Sequence, residues 1–134
     1  MKKLIFILAL ALSYNIVSAQ SLYIKGSKKG EIESDGDVYI GGSKKGNIES
    51  DGDVYVGGSK KGQIKSDGDI YVNGSKVGQI ESDGDVYKKG SKIGQIKSDG
   101  DIYKNGSKVG VCKGVRKEWV AAVVLFFFIE DLAY

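Results

Sequence analysis

The sequence predicts an all-β fold with one C-terminal helix: a closed antiparallel meander barrel of about ten to twelve short strands around a central apolar helix. Two observations carry this. SDGD recurs at Ser34, Ser50, Ser66, Ser82 and Ser98, and GSK recurs at Gly26, Gly42, Gly58, Gly74, Gly90 and Gly106, each series in steps of 16 residues. Beyond Gly114 the repeat stops, and an unbroken apolar run from Trp119 to Ile129 follows. Self-similarity this strict comes before any other reading of the chain.

The first 19 residues read as an export signal. Met1-Lys2-Lys3 is a basic head, Leu4 to Leu12 is apolar, and Val17-Ser18-Ala19 offers the small residues of a cleavage site. The apolar run is too short to span a bilayer, which needs about 20 residues. A mature chain of residues 20–134 is expected, as one domain. Its final location would be periplasmic, cell-surface or secreted. The absence of histidine excludes a Ser-His-Asp triad and an imidazole metal site, and the single Cys112 excludes an intramolecular disulfide. Without Lys2 and Lys3, 18 basic residues face 17 acidic ones, so bulk charge argues against a nucleic-acid partner.

Each unit over residues 22–113 reads G-S-K-x-G-x-I-[EK]-S-D-G-D-[VI]-Y-x-x. Asp-Gly between β-rich runs signals a two-residue type I′ hairpin turn, and GSKxG reads as a second, longer turn. Two strands per unit follow, one around Ile32 and one around Val38-Tyr39. The residue after Ile32 is Glu33, Glu49, Lys65, Glu81 or Lys97, so that side faces water. The residue after Tyr39 is Ile40, Val56, Val72, Lys88 or Lys104, which also accepts charge. Strand alternation then places Ile32 and Tyr39 inside. A three-residue loop with a bulge would put Val38 inside instead. Cys112 stands at the isoleucine position of the repeat and reads as core.

The C-terminal run has no polar stripe, so as a helix over about 116–130 it must be buried on all sides; a strand over VVLFFFI is the alternative. Eleven helical residues rise about 16 Å, as long as a five-residue strand. Twelve tilted strands close at roughly 24 Å across, which leaves room for one packed helix. Closure also removes both sheet edges.

The GSKxG/SDGDVY units followed by an apolar helix resemble the bacterial β-flower proteins, whose rotationally repeated barrels are similar to the Tubby C-terminal barrel around its helix. The resemblance covers Leu22 to about Ile129. Five SDGD units point to the five-fold type, and six GSK turns to a twelve-strand closure. It implies no established activity, and the phosphoinositide binding of Tubby-like barrels is an analogy of fold alone.

Alternate turns of a meander lie at opposite ends, so charge is expected to segregate. Lys28, Lys29, Lys44, Lys45, Lys60, Lys61, Lys76, Lys92 and Lys108 would share one rim, and the paired aspartates of SDGD the other. The helix would enter at the acidic rim with Arg116 and Lys117 and leave at the basic rim with Glu130 and Asp131. These nine lysines are the candidate site for an anionic lipid or envelope glycolipid. Turn chemistry accounts for the aspartates, and the spaced ligands of an EF-hand are absent, so no metal site is expected. No phosphate loop or other cofactor motif occurs. The expectation is an exported, non-catalytic interaction or structural module. A self-assembling envelope component stacked rim to rim is one alternative. A carbohydrate-binding module is the other, provided that the tyrosines face outward.

Overall fold

The computed structural model describes residues 18–134. The export-signal reading falls almost wholly on residues outside this range. Twelve antiparallel strands form one closed barrel in which every strand pairs with its neighbours in sequence, and β1 (Ala19–Ile24) closes on β12 (Ser107–Cys112). The others are β2 (Ser27–Glu33), β3 (Asp37–Ile40), β4 (Ser43–Ile48), β5 (Asp53–Val56), β6 (Ser59–Ile64), β7 (Asp69–Val72), β8 (Ser75–Ile80), β9 (Asp85–Lys88), β10 (Ser91–Ile96) and β11 (Asp101–Lys104). The five-fold expectation is therefore corrected to six hairpins. The sixth acidic turn is missing because the chain enters and leaves there, and its place is taken by direct pairing of Leu22 with Cys112 and Ile24 with Gly110.

The two turn types are the reverse of the expectation. The two-residue turns lie just before Ser-Lys: Gly41-Gly42, Asn73-Gly74 and Asn105-Gly106 have both φ values positive, between 50° and 84°. That is the type I′ geometry whose twist matches the flanking strands. At the other end, Gly36 N–H donates to Glu33 O (2.9 Å), and Gly36 has φ 97°. Asp37 N–H donates to the Asp35 carboxylate (3.1 Å). This is a three-residue loop ending in a glycine bulge, the alternative weighed from sequence.

One residue of turn length inverts the following strand. Ile32 pairs with Val38, and both are fully buried, while Tyr39 pairs with Glu31 on the outer wall. Tyr39 inside is thus corrected to Val38 inside. The same inversion moves the next position inward at the mouth of the barrel: Ile40 is buried, and Lys88 and Lys104, expected outside, reach over the rings of Phe126 (5.7 Å) and Tyr134 (4.5 Å). A long lysine stem tolerates this, since the ammonium still reaches water. A second bulge follows each two-residue turn, as at Tyr39↔Lys44 and Val38↔Gly46 with Lys45 extra. Repeated bulges add the bend that closes the sheet.

The plug is helical, as expected. It comprises α1 (Lys117–Ala122), a π-helical turn (Val123–Phe127) and α2 (Ile129–Leu132). Val120 to Leu125, Phe128 and Leu132 are buried among the inner isoleucines and valines of the barrel. Successive plug residues meet successive repeats: a Cβ on Gly46 would press on the Phe128 ring, on Gly62 the Phe127 ring, on Gly78 the Phe126 ring and on Gly94 the Leu125 methyl. Six repeats share the circle at about 60° each, whereas an α-helix turns about 100° per residue. The wider π turn rotates less per residue and brings the two steps closer. Tyr134 folds back, and its hydroxyl donates to Val124 O (2.6 Å), satisfying a carbonyl in the irregular turn.

Cys112 is 1% exposed, and burial pushes its thiol up to about 11; burial also raises the Tyr134 phenol to about 12. Both groups are neutral acids whose folded pKa lies above the unfolded value. Their contribution is complete below pH 9 and is lost as pH rises from about 9 through 12. The expected result is a flat unfolding free energy from pH 7 to 9 and a decline above it. Cys112→Ala should remove the lower part of that decline. At pH 8 a thiol reagent should label Cys112 only after denaturation.

Candidate functional site

Six of the nine candidate lysines are already paired on the outer wall. Lys44, Lys60, Lys76, Lys92 and Lys108 cross a strand boundary to Asp37, Asp53, Asp69, Asp85 and Asp101, at 3.1–3.3 Å. Lys28 meets Glu31 at 3.6 Å. The hydrogen bond that Lys44 donates to the Asp37 carboxylate raises the Lys44 pKa above its ordinary value. The expected segregation of charge is therefore corrected for the second aspartate of each SDGD. It stands on the wall beside tyrosine, because the bulged loop turns Asp37 outward on the same face as Tyr39 and Lys44. Ion pairs this exposed contribute little to stability, because water and salt screen them.

Lys29, Lys45 and Lys61 sit at the bulged position and have no carboxylate partner among the described residues. The same repeat position holds Val77, Ile93 and Val109, and the last two pack against the core. Sequence reasoning missed four further lysines at this end. Lys25 and Lys89 occupy the first position of two-residue turns with φ 51°, and Lys88 and Lys104 lean over the plug. Their signal was available: each falls at or next to the residue before Gly-Ser-Lys. Half-buried Phe126, Phe127 and Tyr134 close the centre of this mouth, and Glu130 and Asp131 are exposed at the C-terminal end of the plug. The lysine-bearing end is thus a cationic ring around an aromatic hub.

The opposite end carries the first aspartates, Asp35, Asp51, Asp67, Asp83 and Asp99, all exposed. In three turns they stand with a glutamate and the second aspartate, as in Glu33-Asp35-Asp37, with carboxylate oxygens able to lie within 4.8 Å of one another. Loss of water contact and the neighbouring Asp35, Asp37 and Glu31 raise the Glu33 pKa. Within each group one carboxylate holds the turn and another holds a wall lysine, so their oxygens are engaged in the fold. Lys65 and Lys97 replace the glutamate in the remaining turns. The plug enters at this end, where Arg116 and Lys117 were expected to meet the rim. Their ion pairs are local instead, to Glu118 at 4.0 and 3.3 Å, and Arg116 stacks over Trp119 at 5.4 Å.

The chain matches no protein-family model, no curated protein and no solved structure. Among the described residues no helix is long and apolar enough to cross a membrane.

Proposed function

We propose that the protein is an exported, non-catalytic module that docks through its lysine-bearing end on an anionic lipid surface. The observation that carries this is the concentration around one aromatic hub of Lys25, Lys29, Lys45, Lys61, Lys88, Lys89 and Lys104, which have no carboxylate partner among the described residues. Among the described residues, Glu130 and Asp131 are the exposed acids on the plug at that end. Lysines near an anionic leaflet contribute about 1 kcal/mol each at modest salt, and an aromatic centre suits the headgroup zone. The barrel of repeated hairpins closed by a helix accords with a β-flower-type module of six petals, a resemblance that carries no catalytic expectation.

Co-sedimentation of the purified protein with anionic and neutral vesicles, at low and high salt, tests the reading. Binding should be confined to anionic vesicles and fade with salt. Replacing Lys25, Lys45, Lys61, Lys88 and Lys104 together by Gln should weaken it at least about a hundredfold. Replacing the wall lysines Lys60, Lys76 and Lys92 should change it little. Equal binding by the two variants would sink the proposal.

A further inference from the structure

The outer wall carries clefts that share only Lys61 and Lys89 with the lysine-bearing end. β8 and β9 pair through Gly78↔Lys88, Gln79↔Tyr87 and Ile80↔Val86; beyond the bond from Lys89 N–H to Val77 O (3.1 Å) they part toward different turns. The space between them is a cleft of about 390 Å³, lined by Val77, Gly78, Gln79, Glu81, Tyr87 and Lys89. Gly78 contributes only backbone to this lining, since its one side-chain direction points inward, to the Phe126 ring of the plug. Lys76 borders the cleft, but its ammonium is held away by Asp69 (3.1 Å). The amide of Gln79, the carboxylate of Glu81 and the ammonium of Lys89 therefore supply the free polar groups beside the Tyr87 ring.

The neighbouring β6–β7 cleft is an internal control. It has the same volume of about 390 Å³ and the equivalent Gly62, Gln63 and Tyr71. Lys65 stands there in place of Glu81 and lies 5.0 Å over the Tyr71 ring; Lys97 covers Tyr103 in the same way at 4.8 Å. Among the described residues no cation covers Tyr87.

We infer that the β8–β9 cleft binds a neutral pyranose sugar, its C–H face on the Tyr87 ring and its hydroxyls on Gln79, Glu81 and Lys89. A flat ring with an exposed π face attracts the weakly positive C–H groups of a sugar. An ionised carboxylate accepts hydroxyl protons strongly, while amide and ammonium groups donate to the remaining oxygens. A cleft of this size suits a small ligand and not an extended surface.

The test uses no membrane, so its failure is distinguishable from failure of the docking reading, with which it shares only Lys89. The purified protein is titrated with the methyl pyranosides of glucose, galactose, mannose and N-acetylglucosamine while backbone amide resonances are followed. At least one sugar should shift Gln79, Tyr87 and Lys89 saturably. Tyr87→Ala should weaken that binding about tenfold or more. Glu81→Lys, at a surface position that leaves the fold intact, should abolish it by covering the ring. Lys65→Glu should create a second site reporting at Gln63 and Tyr71. No shift with any of the four sugars at about 50 mM, a range that captures even millimolar affinity, overturns the inference. So does unchanged affinity in Glu81→Lys, or a failure of Lys65→Glu to add a site.

Discussion

Gly46→Ala is expected to destabilise the barrel by about 3 kcal/mol, the scale of an overpacked core. The added Cβ would overlap the Tyr55 carbonyl oxygen and sit 2.9 Å from the Phe128 ring. Backbone on one side and a buried ring on the other leave nothing free to yield. Gly42→Ala is the matched control: its φ is 82°, but nothing lies within 4 Å of the new atom. It should cost only the left-handed backbone penalty, about 1–2 kcal/mol. Urea unfolding of the two variants measures the difference. Equal losses would mean that the wall and plug are not in contact at Gly46.

Phe128→Ala should lower stability by about 3–5 kcal/mol, because the ring is 1% exposed and fills the space that Gly46 leaves open. Phe126→Ala should cost clearly less, since Phe126 is half-buried and partly covered by Lys88. A double-mutant cycle between Gly46→Ala and Phe128→Ala should be non-additive, with the smaller residue at 128 relieving part of the overlap. Additive losses would argue against the contact.

The same glycine shows where sequence reasoning stopped. GSKxG reads as a turn, yet its last glycine is a packing surface. Comparison of the copies held the signal: the preceding residue changes from Lys61 to Val77 and Ile93, while Gly62, Gly78 and Gly94 do not. The periodicity gave the strands, the inward isoleucines and the buried Cys112, because burial on one face leaves a strong trace in a repeated pattern. It did not separate two turns that both contain glycine. Asn73-Gly74 and Asn105-Gly106 were the better type I′ signals, and choosing Asp-Gly instead turned Val38 and Tyr39 over together. The ion pairs were harder to see. Lys44 and Asp37 are brought together only by the bulge between facing strands, and no linear spacing announces that. The outward tyrosines that open the sugar-binding inference follow from the same single-residue shift.

Tandem units of 16 residues are prone to gain or loss by slippage, since each junction looks like every other. The register of Leu125, Phe126, Phe127 and Phe128 against Gly94, Gly78, Gly62 and Gly46 makes the plug a gauge of circumference. A five-unit ring would crowd the aromatic residues, and a seven-unit ring would leave gaps beside them. The segment without any repeat therefore counts the repeats, and it lets a chain of nearly identical units settle on one number.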